Sequence, residues 1–116
     1  MILGIGLDII ELDRIAKLEK SDKFISRILT HSEKEIYQSL NGHRRTEFLA
    51  GRFAGKEAFA KARGTGIGAD CNFVDIEIIP EPSGKPVLYF KGSSVSGFIS
   101  ITHTKNIAAA QVILEA

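Results

Sequence analysis

The sequence predicts an α+β domain in which a mainly antiparallel sheet packs on one long central helix. Three observations carry this expectation. Residues 2–10 alternate at a two-residue period, with Ile5, Leu7 and Ile9 on one face and Gly4, Gly6, Asp8 and Ile10 on the other. From Arg44 to Arg63 the chain is rich in Ala, Leu, Glu, Lys and Arg and holds no proline, which favours helix. Beyond Gly64 the period of two returns. With 116 residues the chain reads as a single domain, 1–116, with no internal repeat or linker.

Between the first strand and the long helix, apolar spacing predicts shorter helices. Leu12, Ile15 and Ala16 share one helical face, and Ser21 is placed to cap a second helix carrying Phe24, Ile25 and Ile28. Ser32-Glu33-Lys34-Glu35 reads as the capping box of a third, which Asn41-Gly42 ends. Gly64-Thr65-Gly66-Ile67-Gly68 stops the long helix. Phe73–Ile79 reads as a strand closed by Pro80, Ser83–Pro86 as a turn, and Val87–Phe90 as the returning strand. Ile99–His103 pairs with Ile107–Leu114 across Thr104-Lys105-Asn106. The last strand is apolar on both faces, which places it centrally or at an interface.

Composition narrows the function classes. Hydrophobic residues make up 44% and charged residues 25%, an ordinary soluble-globular balance. Asp8 interrupts the apolar start, and no run is long enough to cross a bilayer, so neither a signal peptide nor a membrane partner is expected. The single cysteine, Cys71, excludes an intrachain disulfide and suits a cytoplasmic location. Net charge is +1, but Arg14–Arg63 holds twelve Lys and Arg against six Asp and Glu. That imbalance suggests an anionic partner, or else solvated helix faces.

A few residues could carry chemistry. Asp8 is a carboxylate within an apolar strand, which is costly unless hydrogen-bonded or bound to a cation. Glu57 lies beside the apolar line of Leu49, Phe53 and Ala60 on the long helix, with Lys61 one turn on as a candidate ion-pair partner. Two semi-buried carboxylates suit a hard, oxygen-seeking cation such as magnesium. Arg45, Lys56, Arg52 and Arg63 form one stripe, whose mutual repulsion an anionic ligand would offset. His103 reads equally as a phosphate donor or a strand-end residue. Gly64–Gly68 follows a helix, unlike the usual phosphate loop, and reads first as a cap and turn. Cys71 reads as structural.

Three segments together resemble the holo-(acyl-carrier-protein) synthase family: Gly4–Glu11, Arg52–Gly66 and Ser100–Thr104. The likeness spans essentially the whole chain and implies a 4′-phosphopantetheinyl transferase-like fold and a homotrimer with sites between subunits. It implies that Asp8 and Glu57 hold magnesium, that Lys61 lies near the coenzyme A phosphates, and that these three form the catalytic group. It further implies coenzyme A contacts from Arg52, His103, Thr104 and the Gly64-Thr65-Gly66 turn, with Arg45, Phe48 and Pro86 beside them. Arg14 matches a contact to the acidic acyl carrier protein. Lys17, Lys20, Lys23 and Arg27 extend that patch on charge alone. Whether Glu11 joins the two carboxylates stays open.

Two positions depart from the family pattern. Gly55 stands where alanine is usual, and Arg63 where an apolar residue is common. The implied reaction moves phosphopantetheine from coenzyme A to a carrier-protein serine and releases adenosine 3′,5′-bisphosphate, in fatty acid biosynthesis. The proton acceptor is a metal-bound water, Glu57 or Lys61. The rival readings are another metal-dependent phosphoester-cleaving enzyme and a non-catalytic module binding coenzyme A or an acidic protein. The overall charge is too balanced for a nucleic-acid binder.

Overall fold

The computed structural model describes residues 1–116. The chain opens with β1 (Ile2–Glu11), followed by three short helices, α1 (Leu12–Leu18), α2 (Asp22–Ile28) and α3 (His31–Ser39). The long helix α4 (His43–Arg63) comes next, then a 3-10 turn over Phe73–Asp75 and β2 (Ile76–Pro80). The remaining strands are β3 (Pro86–Phe90), β4 (Ser93–Ser94), β5 (Gly97–His103) and β6 (Ile107–Glu115). All strand pairings are antiparallel and form two three-stranded sheets, ordered β1-β6-β5 and β2-β3-β4. The apolar final strand is therefore the centre of its sheet, as its two-faced composition predicts.

Helix α4 lies across the inner face of the β1-β6-β5 sheet. Its sheet-facing residues are small: Gly51, Ala54, Gly55, Ala58 and Ala62 are all buried. The strand is small at the same place. A Cβ on Gly4 would overlap the Ala62 carbonyl oxygen, and one on Gly6 would overlap that of Ala58. The room left by glycine on the Asp8 face is thus filled by the helix backbone itself. Gly55 has a packing reason too, because a Cβ there would sit 2.7 Å from Ile78 Cδ1 and 3.1 Å from Ile99 Cδ1.

Several local expectations need correction. The cap of α3 is Thr30, not Ser32: Thr30 Oγ1 accepts from the Glu33 amide while Glu33 Oε1 accepts from the Thr30 amide at 2.9 Å. Residues 73–75 turn before the strand starts, because Asp75 Oδ2 accepts from the Asn72 amide at 2.9 Å and favours a tight turn over extension. The largest correction concerns Lys56. It is not part of an exposed cationic stripe but fully buried, and its Nζ donates to Glu33 Oε1 and Ile28 O, each at 2.6 Å. Glu33 Oε2 in turn accepts from the Ile78 amide at 2.8 Å. One ion pair therefore ties α2, α3, α4 and β2 together.

The helix ends do follow the sequence. Ser21 caps α2 through the Phe24 amide, and Gly64 ends α4 in the left-handed conformation at φ 83°. Cys71 is buried and free. The other face of the β1-β6-β5 sheet has no cover in the single chain. Leu3, Ile5, Leu7 and Ile9 along β1 are each more than half exposed, and so is Phe98 on β5.

Candidate active site

The β1–α4 contact sets Asp8 and Glu57 side by side. Strand alternation turns Asp8 toward α4, opposite the exposed Leu7 and Ile9, and its side chain is only 15% exposed. Glu57 approaches from the helix at the same edge. Its carboxyl is pushed up from 4.5 by partial burial first and by the negative charge of Asp8 second, with Lys61 and Arg14 pulling the other way. That balance brings four predicted residues into one corner: two carboxylates that repel each other, and two cations that only partly relieve them.

Lys61 departs from its expected pairing. It reaches past Glu57, its neighbour one turn away, and donates to Asp8 Oδ1 at 3.1 Å and to Leu7 O at 3.0 Å. Glu11 closes β1 as an exposed residue at an odd position, so the pleat turns it to the sheet face opposite Asp8. The Gly64-Thr65-Gly66 turn lies one turn beyond Lys61. Its three amides already donate to Lys61 O and Ala60 O, so the turn closes the helix and leaves no free amide for an anion.

A second group of predicted residues sits elsewhere. Arg45 donates to Leu40 O, and to Gln38 O at 2.9 Å, and lies over the Tyr37 ring, so it closes the end of α3. Arg52 stacks its guanidinium 4.2 Å from the Phe48 ring centroid and donates to Ile78 O at 3.3 Å. Burial holds its pKa below the ordinary value. His103, at the end of β5, places Nδ1 3.2 Å from Glu47 Oε2. Thr104 turns its hydroxyl inward to accept from the Asn106 and Ile107 amides. Pro86 lies at the opposite end of β5, beside Gly97 and Phe98 around a cavity of about 170 Å³.

The arginines of this group occupy the flank of α4 opposite Glu57 and Lys61. At about 100° per residue, Arg45 and Arg52 point about 120–180° around the axis from Glu57 and Lys61. At about 1.5 Å per residue, Arg45 and Lys61 are also separated by about 24 Å along the helix. The helix body lies between them, so one chain does not assemble all the predicted residues around one ligand. Arg63 belongs to neither group and stacks 4.3 Å from the Phe90 ring centroid. The exposed cations Arg14, Lys17, Lys20, Lys23 and Arg27 cover α1, α2 and their junction, and only Arg14 adjoins the carboxylate corner.

Several residues that shape these groups have partners that sequence spacing does not reveal. Glu47 is the contact of both His103 and, at 3.6 Å, His43. Glu19 accepts from the Tyr37 hydroxyl at 2.7 Å and from Thr46 Oγ1, which helps push the Tyr37 pKa up to about 12, after burial as the larger cause. The i,i+4 spacing of His43 and Glu47 was the one readable signal among these.

Comparison with known proteins shows the family. A sequence model of the 4′-phosphopantetheinyl transferase superfamily matches residues 4–113. A holo-(acyl-carrier-protein) synthase of Bacillus subtilis is 55% identical, covering 99% of this chain and 97% of that protein. One from a Geobacillus strain is 53% identical, covering 99% and 98%. A crystal structure of the Bacillus anthracis synthase in complex with CoA (3′,5′-ADP) superposes with a TM-score of 0.90 at 52% identity, covering all of this chain and 98% of that one. On fold and full-length likeness alike, the chain belongs to the 4′-phosphopantetheinyl transferase superfamily, among its holo-(acyl-carrier-protein) synthases.

Proposed function

We propose that this chain is a cytoplasmic, magnesium-dependent enzyme that moves the 4′-phosphopantetheine group of coenzyme A onto a serine of apo-acyl carrier protein. The observation that carries this reading is the corner of Asp8, Glu57, Lys61 and Arg14. Two partly buried carboxylates in mutual repulsion form an oxygen donor set that fits a hard divalent cation sharing its shell with phosphates. Magnesium bound there would offset the charge that develops on the diphosphate during transfer. Lys61 holds Asp8 in place and keeps a cation beside the phosphate-bearing ligand. The serine proton passes to Glu57, to Lys61 or to a metal-bound water.

The arginine group is the complementary half of the site, contributed by a neighbouring copy. Arg45, Phe48 and Arg52 face away from the carboxylates across α4, so a ligand touching both groups needs two chains. The uncovered apolar face of β1 supports the same reading, since monomeric proteins rarely leave such a ladder exposed. Together with the trimer that the family resemblance implies, this leads us to take the working form to be a homotrimer. Sedimentation is expected to give three times the mass of the chain. Leu7→Lys is expected to yield folded monomers with little transferase activity; active monomers would remove the shared-site reading.

The transferase reading itself is tested by mass. The protein is incubated with coenzyme A, Mg²⁺ and apo-acyl carrier protein, and the carrier is weighed. Gain of one phosphopantetheine is the expected result, and no gain with any divalent cation sinks the proposal. The docking patch needs a cleaner probe than Arg14, whose charge also bears on Glu57. Lys20→Glu with Lys23→Glu is expected to raise KM for the carrier about 3- to 10-fold, about 1 kcal/mol for the pair, with KM for coenzyme A unchanged. Equal rises for both substrates would argue against a separate protein-docking face.

A further inference from the structure

Glu47 stands in the second turn of α4, where its side chain is 22% exposed, and the end of β5 brings His103 to it. His103 Nδ1 lies 3.2 Å from Glu47 Oε2, and the imidazole is half exposed. No other side chain is within ion-pair or hydrogen-bond reach of that ring. His43 shares the same oxygen at 3.6 Å but is itself more exposed and lies on the same helix as Glu47.

A carboxylate can only accept, so the 3.2 Å approach of Nδ1 favours the tautomer with its hydrogen on Nδ1. Contact through Nδ1 therefore leaves Nε2, on the far edge of the ring, as the atom that meets whatever lies outside. Second partners of this kind commonly fix both the tautomer and the plane of a functional imidazole. The β5–β6 turn is stiff, since Thr104 Oγ1 takes two amides and the Thr104 amide donates to Ile107 O at 2.8 Å. The backbone of His103 is thus fixed, and the ring torsions are the freedom left for Glu47 to restrain.

We propose that Glu47 is a positioning residue for coenzyme A: it holds the His103 ring so that Nε2 faces a phosphate of the ligand. The proposal rests on the reading above that His103 contacts coenzyme A. Glu47 touches neither the ligand nor the carboxylate corner. Its effect is on how often the His103 ring is presented correctly, and so on ligand affinity more than on the chemical step.

The test uses the full-length protein and two readouts. In ligand-free protein above the histidine titration range, ¹⁵N-detected imidazole correlations are expected to show His103 as the Nδ1–H tautomer. That tautomer persists in Glu47→Gln, whose amide oxygen still accepts, and gives way to Nε2–H in Glu47→Ala. In steady-state kinetics, Glu47→Ala is expected to raise KM for coenzyme A about 3- to 10-fold, the worth of one hydrogen bond, with kcat at saturating coenzyme A nearly unchanged. Glu47→Gln restores KM to within about twofold, and adding Glu47→Ala to His103→Ala gives no further rise beyond about twofold. A KM rise in His103→Ala with none in Glu47→Ala overturns the positioning role while leaving the coenzyme A reading intact. Unchanged KM in His103→Ala removes His103 from the ligand site, and the proposal with it. An unaltered tautomer in Glu47→Ala also overturns it.

Discussion

Glu57→Gln is expected to lower kcat/KM by at least about 100-fold, the scale on which a single group that stabilises developing charge contributes to an active site. The substitution keeps size and hydrogen-bonding capacity and removes only the charge. Glu57 is partly buried beside the negative charge of Asp8, and both raise the cost of ionising it, so in the metal-free chain the ionised form of Glu57 is held at a loss. The sign follows from the raised pKa. Stability from this group is fully present below its ordinary value of 4.5 and is lost as pH rises through the raised value. The metal-free chain is therefore penalised by Glu57 at neutral pH, and a bound cation reverses that penalty.

Two consequences separate metal binding from general damage. The rise in Tm on adding Mg²⁺ is expected to be larger at pH 8 than at pH 5, where protons compete for Glu57. Glu57→Gln is expected to lose that rise, and in chelator at neutral pH its Tm should equal or exceed that of the native chain. Differential scanning calorimetry at the two pH values checks both. A variant retaining activity within about tenfold would remove Glu57 from the metal site.

Lys56→Met is expected to cost about 3–5 kcal/mol of stability, because it leaves the Glu33 carboxylate buried without its counter-charge. For a chain of 116 residues that corresponds to a fall in Tm of roughly 10–20 °C. Burial pulls the Lys56 pKa down and the adjacent Glu33 carboxylate opposes it, so the lysine charge depends on its partner. Glu33→Gln combined with Lys56→Met removes both charges and is expected to recover part of the loss, since the Thr30 and Ile78 amides keep an acceptor. Lys56 points between α3 and β2, away from the Asp8 edge, so activity per folded molecule at low temperature should change little. A Tm within about 3 °C of the native chain would show that the pair is dispensable.

The sequence made the long-range frame legible where local chemistry is strong. Helix α4, its Gly64 terminus, the β5–β6 hairpin and the central place of the last strand all follow from period and turn residues. Asp8 and Glu57 stood out because a carboxylate on an apolar face demands a partner. Lys56 was misread for a physical reason: spacing shows which side of a helix a residue lies on, but not that Glu33, 23 positions earlier, comes to meet it. Its wheel neighbours Leu49 and Ala60, both fully buried, were the signal that this side faces inward. Glu47 and Glu19 were invisible for the same reason, since their partners come from other elements. The split of the predicted ligand residues onto two flanks of α4 was latent in their spacing and becomes plain once the sheet shows which flank faces what.

For the cation site proposed at Asp8 and Glu57, the contact of Gly4 and Gly6 with the carbonyls of Ala62 and Ala58 would bear on ion selectivity. Because main chain meets main chain there, the span between Asp8 and Glu57 is fixed by backbone thickness and by the lengths of two acid side chains, not by the fit of exchangeable core residues. Interior repacking during divergence can therefore proceed without altering which cation the pair prefers. Retuning that preference toward a larger ion would require lengthening or shortening an acid arm against a wall that does not yield.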